Sequence, residues 1–175
     1  MEKEFWVNAP PVSKPQPSKT STSTRLAVAL ATWGGIGYTP VAPGTAGSLA
    51  GLLVGWLVVW AGLPVWSLAI AAAVLFLPAC RAAGVVECCS ASTDPSEVVV
   101  DEVVGQWIAL AAIDPANWLH WLVAFAAFRA FDALKPFGIR RLERLPDGYG
   151  VLADDAAAGL CAMIVMAGLR WLTTG

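Results

Sequence analysis

The sequence predicts an all-α fold, a compact bundle of about five main apolar helices, polytopic in a membrane, with its charged motifs gathered on one face. Three observations predict it. The chain is 57% hydrophobic and only 14% charged, with a mean hydropathy of +0.64, high for a soluble domain. Its apolar segments are bounded by caps, prolines and glycine turns, and no period-two alternation is sustained. Two acidic pairs, Asp101-Glu102 and Asp154-Asp155, each open a long apolar run.

At 175 residues the chain has the length of one domain. Residues 1–24 are polar and rich in Pro, Ser and Thr, which predicts a flexible tail. They show no charged n-region followed by an apolar stretch, so they do not read as a secretory signal. Residues 25–175 form the helical domain. The first apolar segment runs from about Ser48 to Ala61 and stops at Gly62-Leu63-Pro64. The second runs from Val65 to about Ala83. The third begins at Asp94-Pro95-Ser96-Glu97, an N-cap acid, a first-turn proline and a third-position glutamate. It ends at Ile113, before Asp114-Pro115. The fourth runs from Asn117, an N-cap, to Lys135 before Pro136. The fifth runs from about Val151 to Leu172. The valines at 98–100 give a weak strand signal.

Taken singly, these segments are short for membrane spans, which need roughly 20 residues. A soluble helical bundle is therefore the alternative. The distribution of charge favours the membrane. If each segment crosses, loops 25–47, 84–101 and 132–154 share one face, and of the charged residues only Asp114 and Arg170 fall on the other. Trp56, Trp60, Trp66, Trp118, Trp121 and Trp171 gather toward that second face, as an interfacial belt would. Arg140, Arg141 and Arg144 mark the first face as cytoplasmic by the positive-inside rule.

Composition also excludes functions. A net charge of −2, with no basic stripe interleaved with aromatics, points away from nucleic acid. Cys80, Cys88, Cys89 and Cys161 contain no C-x-x-C, and only one histidine, His120, exists to complete a zinc site, which weighs against a metal or redox role. The cysteines read as reduced thiols. His120 sits between Trp118 and Trp121 and reads as an interfacial or packing residue.

The charged face carries a specific inventory: Asp101, Glu102, Arg129, Asp132, Lys135, Arg140, Asp154 and Asp155. Paired carboxylates against apolar segments are costly unless a cation neutralises them. Carboxylates without nitrogen or sulfur partners suit a hard cation such as Mg²⁺, which takes one or two of them plus phosphate oxygens. Adjacent acids point about 100° apart on a helix, so one of each pair faces the site and the other a second layer or solvent. Arginine and lysine nearby suit a phosphate. Each piece has a plainer reading as well. Asp101 and Asp154 sit at helix starts that favour acids, Asp132 is an i,i+3 partner for Arg129, and the arginines suit an anionic lipid surface.

The glycine-rich stretch 34–48 lacks the spacing of a P-loop, and Gly35-Ile36-Gly37 has no third dinucleotide glycine. Two readings stand: an irregular loop before a helix, or a helix start where Thr45, Ser48 and backbone N–H groups meet a phosphate.

Four strings, TPVAPGTAGSLAG at 39–51, VVVDEVVGQWIAL at 98–110, FRAFDALKPFGIRRLER at 128–144 and GYGVLADDAAAG at 148–159, resemble the bacterial phosphatidylglycerophosphatase A family in order and spacing. The resemblance covers about residues 30–172. It implies a Mg²⁺-dependent phosphatase of the inner membrane that removes the terminal phosphate of phosphatidylglycerophosphate. It implies metal and catalytic roles for Asp101, Glu102, Asp132, Asp154 and Asp155. Arg129, Lys135 and Arg140 are implied for phosphate, and Thr45 for the glycine-rich loop. Many members carry a tryptophan before the Asp-Glu pair, where this chain has Val100. Many carry His-Gly-Gly before the last motif, where this chain has Pro146-Asp147-Gly148-Tyr149-Gly150. Other phosphatase chemistries lack their residues. The C-x-x-x-x-x-R and D-x-D-x-T patterns are absent, and His120 lies on the wrong face. The expectation is a lipid phosphatase acting at the cytoplasmic leaflet, with Mg²⁺ and a phospholipid as its partners. The alternatives are a non-enzymatic transporter or assembly protein with a cation site, and a soluble phosphatase on the same fold.

Overall fold

The computed structural model describes residues 21–90 and 95–174. Residues 1–20 of the expected tail 1–24 and the expected cap Asp94 lie outside them, whereas Thr22, Ser23 and Thr24 of that tail open the first helix. Among the described residues the fold is all-helical, with no strand, as expected. Six α-helices follow one another: α1 Thr22–Ala31, α2 Pro43–Trp60, α3 Ser67–Ser90, α4 Val100–Leu110, α5 Trp118–Leu134 and α6 Tyr149–Thr174. Two 3₁₀ segments, Ile36–Tyr38 and Pro136–Arg144, join α1 to α2 and α5 to α6.

The centre of the bundle is α4. Nearly every residue from Val100 to Leu110 is buried, and α2, α3, α5 and α6 all pack on it. The core runs from Val103, Val104, Trp107 and Leu110 to Leu68, Ala72, Trp121 and Met166. A second cluster joins α1 and α3 through Ala31, Ala79, Ala83 and Val86. At 11 residues α4 is about 16 Å long, far short of a bilayer core of about 30 Å. Among the described residues three helices are long and apolar enough to cross: Pro43–Trp60, Ser67–Ser90 and Tyr149–Thr173. Their apolar faces, with Trp56, Trp60, Trp66 and Trp171, lie exposed, which fits a membrane protein.

Several expectations need correction. The stretch read as a loop from 25 contains α1, whose face carrying Ala27, Val28, Leu30 and Ala31 packs on the α3 cluster. The third segment does not start at Pro95. Residues 95–99 form a turn, and α4 begins only at Val100. The reason is tertiary. The Val99 N–H donates to the Ala31 carbonyl at 2.9 Å, and Gly37 lies against the backbone of Glu97. This pins the segment across the end of α1, and the valines at 98–100 go into the core instead of a strand. Trp121 also leaves the expected belt. It is buried, and its indole N–H donates to the Pro115 carbonyl at 3.2 Å.

The glycine-rich stretch becomes helix from Pro43, five residues before the expected start, with proline in the first turn. Its glycines are explained by contact. Gly44, Gly47, Gly51 and Gly55 recur on one face of α2. A Cβ at Gly47 would stand 2.8 Å from Val99 Cβ, at Gly51 3.2 Å from Val103 Cα, and at Gly55 2.8 Å from Leu110 Cδ1. The missing side chains let α2 lie directly on α4, and the Trp107 indole then reaches across to the Gly51 carbonyl at 3.0 Å.

Candidate active site

Two helix crossings bring the acidic pairs together. Asp101 and Gly105 lie one turn apart on one face of α4, as Asp155 and Gly159 do on α6. Gly105 meets Gly159 backbone to backbone, and a Cβ at Gly105 would come within 2.7 Å of the Asp155 carbonyl and strike the Phe128 ring. One turn along from that contact, Asp101 and Asp155 must face one another. Glu102 arrives from the same turn of α4 and lies against Gly44 of α2. One ligand oxygen each from Asp101, Glu102 and Asp155 lies within 4.8 Å of the others.

Around this cluster is a cavity of about 510 Å³, lined by Asp101, Glu102, Asp132, Lys135, Arg140, Glu143, Arg144, Val151, Asp154 and Asp155. All four acids of the two pairs line the cavity. Asp154 takes the expected second-layer place, paired with Lys135 outside the cluster, whereas both Asp101 and Glu102 join the cluster. Glu102 follows Asp101 round the helix, and its longer side chain brings it back.

Lys135 sits where α5 ends. It holds a left-handed backbone conformation (φ 45°), and its N–H closes on the Phe131 carbonyl at 2.8 Å. Phe137 and Gly138 are also left-handed. These turns double the chain back so that Lys135 Nζ meets Glu143 Oε1 at 2.8 Å and Asp154 Oδ2 in a very short contact. Burial alone would lower the ammonium's affinity for its proton, but the hydrogen bonds and charges of Asp154 and Glu143 outweigh it and raise its pKa above the usual lysine range. Arg129 donates to Asp132 Oδ2 at 2.8 Å and to Ser48 Oγ at 3.4 Å.

The expected phosphate groups therefore separate. Lys135 and Arg140 line the cavity, whereas Arg129, Thr45 and Ser48 do not. Ser48 is fully buried, and its hydroxyl donates to the Gly44 carbonyl at 2.9 Å within its own helix. Its place is behind Arg129. Thr45 is half-buried on the first turns of α2. Glu143 and Arg144 also line the cavity. The sequence held a trace of this in the charges of IRRLER, but only the left-handed turn after Lys135 shows that they fold back on the site.

The electrostatics are strained. Six acidic side chains and three basic ones line the cavity. Asp101 is buried, and its carboxyl is held well above the usual range, first by burial and then by the neighbouring Glu102 and Asp155 charges. Glu102 is raised as well, by burial, which the hydrogen bond with Asp101 and the Arg129 charge only partly offset. Glu102 Oε2, Asp154 Oδ1 and Asp155 Oδ2 are buried with no hydrogen-bond partner. Buried carboxylate oxygens without a donor are unstable unless a cation takes their lone pairs. A hard divalent ion fits the donor set, since all its atoms are oxygen. Asp101, Glu102 and Asp155 would hold it, with Asp154 fixed beside them by Lys135. Histidine and cysteine are absent from the lining. The His120 ring is buried at the other end of α5, where Nδ1 accepts from the Asp114 N–H at 3.0 Å, a packing role as expected.

The family model described as Phosphatidylglycerophosphatase A matches residues 29–170. The chain belongs to the phosphatidylglycerophosphatase A family. A Haemophilus influenzae relative named Phosphatidylglycerophosphatase A is 40% identical over 138 residues, covering 78% of this chain and 84% of the relative. An Escherichia coli protein of the same name is 33% identical over 146 residues, 78% of this chain and 80% of its own. A Bacteroides thetaiotaomicron relative named Putative phosphatidylinositol-3-phosphatase is 40% identical over 153 residues, 84% of this chain and 95% of its own. No solved structure gives a significant match. Family membership makes the protein a phosphatase of lipid metabolism, and all four acids of the two pairs fall within the matched span. At the two departures from the family's pattern, Val100 is fully buried in the core. Gly148 adopts φ +79° against the backbone of α3, and its N–H donates to Glu87 Oε2 at 3.1 Å.

Proposed function

We propose that the protein is a Mg²⁺-dependent phosphatase that hydrolyses the terminal phosphomonoester of phosphatidylglycerophosphate at the cytoplasmic leaflet of the bacterial inner membrane. The observation that carries this reading is the convergence of Asp101, Glu102 and Asp155, with unpartnered oxygens on Glu102 and Asp155, in a cavity that also presents arginines. The names of two relatives supply the lipid. α2, α3 and α6 are long and apolar enough to span the bilayer, and the positive-inside rule applied to Arg140, Arg141 and Arg144 supports a cytoplasmic cavity end.

Bound between the carboxylates, Mg²⁺ would neutralise charge on the phosphate and lower the pKa of a bound water. The chain's own residues do the rest. Lys135 holds Asp154 in place, and Arg129 holds Asp132. Asp132 lines the cavity outside the three-carboxylate cluster, and on this reading it takes the proton of the attacking water. As the water oxygen bonds to phosphorus, the bond to the glycerol oxygen breaks, and that oxygen takes a proton from solvent. Catalysis is mainly positioning and charge neutralisation.

A second substrate is favoured by the Bacteroides relative's name, phosphatidylinositol 3-phosphate. Its headgroup also joins a terminal monoester to a bridging diester. The transporter or assembly reading loses ground, since the named relatives are phosphatases, and the three apolar helices weigh against the soluble one. The test is phosphate release by purified protein from either lipid, with and without Mg²⁺, alongside Asp154→Asn. We expect release from phosphatidylglycerophosphate that stops on chelation and drops sharply in the variant. Release that persists in chelator would overturn the proposed mechanism, and a preference for the inositol lipid would transfer the substrate.

A further inference from the structure

The cations of the cavity fall into two sets. Lys135 is committed to Glu143 and Asp154. Arg129 is committed to Asp132 and stands outside the lining. Arg140 and Arg144 line the cavity, and among the described residues neither has an ion-pair or hydrogen-bond partner. Arg141, between them, is exposed and turned away from the lining.

We propose that Arg140 and Arg144 form a second phosphate subsite, which holds the phosphodiester that stays on the lipid. They thereby set a preference for headgroups that carry both a terminal monoester and a bridging diester. This deepens the phosphatase reading and rests on it.

Charge makes the assignment. The phosphate to be removed must reach Asp101, Glu102 and Asp155, where a bound cation offsets its charge. The retained diester keeps one negative charge, and the carboxylate floor would repel it. It needs cations not already neutralised, and in this cavity those are Arg140 and Arg144. Volume agrees. About 510 Å³ is far more than one phosphate fills and lies among whole-ligand pockets of roughly 300–1,000 Å³. Chemistry agrees too, because a guanidinium makes planar two-point contacts with a phosphate's paired oxygens. Both arginines are exposed, as groups at the mouth must be where the diester leads to the acyl chains.

The test compares phosphatidylglycerophosphate with phosphatidic acid in the same mixed micelles. Phosphatidic acid carries a terminal monoester on the same diacylglycerol and has no diester. The wild type should prefer the first lipid. Arg140→Gln and Arg144→Gln should each lower the ratio of kcat/KM for the two lipids by roughly tenfold or more, mainly through KM. Arg141→Gln removes the same charge from the outer surface and should leave that ratio where it was. Equal falls on both lipids would put the arginines on the phosphate that is cleaved and overturn the proposal. So would a wild type without preference, or an Arg141→Gln effect of the same size, which would reduce the effect to surface charge. A wild type that releases phosphate from neither lipid would sink the phosphatase reading itself, a result distinct from a lost preference.

Discussion

The two ends of the bundle both gather polar side chains at helix termini, and they spend them differently. At the far end the side chains serve the backbone. His120 and Asp114 Oδ1 accept from turn N–H groups at 3.0 and 3.1 Å, Asn117 caps α5 at 3.0 Å, and Trp121 and Arg170 donate to the Pro115 and Ile113 carbonyls. The buried atoms left over there, His120 Nε2 and Ser67 Oγ, belong to an imidazole and a hydroxyl. At the acidic end the leftover atoms are carboxylate oxygens of Glu102, Asp154 and Asp155. A neutral orphan costs little beside a buried, unpaired charge. One end serves the fold alone. The other leaves buried carboxylate oxygens unpaired, and on the proposed reading a bound cation would stabilise it.

That contrast can be broken by substitution, and the largest effect belongs to the acidic cluster. Asp101→Asn and Asp155→Asn should each lower kcat/KM about a thousandfold, the scale of losing a charged group aimed at the reacting phosphate. Both should also raise the melting temperature of the metal-free protein, because each removes an uncompensated buried charge. Activity assays and thermal melts in chelator check the pair of effects. Lower stability on top of lost activity would show the cluster to be structural.

Lys135→Met should act in the opposite sense. It leaves Asp154 buried without its cation and should destabilise the protein by about 3 kcal/mol, read by denaturant unfolding in detergent. Gly159→Ala should cost about 2 kcal/mol by forcing α6 off α4. The same displacement should lower activity, since the crossing sets the spacing of Asp101 and Asp155. Full activity in a stable Gly159→Ala protein would show that the crossing does not position the site.

The pH dependence follows from Asp101 and Glu102. Both hold folded-state pKa values above the unfolded value of roughly 4. The folded state therefore binds more protons than the unfolded state between those values. The stability these groups contribute is fully present below the unfolded pKa and is lost as pH rises through the folded one. In chelator the melting temperature should be higher near pH 5 than near pH 8. Saturating Mg²⁺ should remove the difference, since the ion binds the ionised form. A metal-free melting temperature that rises with pH would contradict the raised values. The smallest effect belongs to the far end. His120→Phe should cost about 1–2 kcal/mol by orphaning the Asp114 N–H, with kcat unchanged.

Much of this site was legible in the sequence, because charge is so scarce in the chain. The acidic pairs, Asp132 and Lys135 stand out against apolar runs, and helical periodicity suffices to put them at one end. The glycine stretch misleads for a physical reason. Glycine signals a loop by its backbone freedom, yet Gly44, Gly47, Gly51 and Gly55 are there for close packing on α4, which depends on a partner helix far along the chain. The start of α4 misleads likewise. Pro95 and Glu97 carry a good local helix signal, and the Val99 hydrogen bond to Ala31 overrides it. Glu143 and Arg144 reach the cavity only through left-handed turns at Lys135 and Phe137, residues whose types do not announce them.

The most direct test of a shared cation site is calorimetric titration of the chelator-stripped protein in detergent with Mg²⁺. The wild type should bind the ion, and Asp101→Asn and Asp155→Asn, one on α4 and one on α6, should each abolish the same binding event while His120→Phe leaves it intact. Undiminished binding in both aspartate variants would contradict a metal site shared between the two helices.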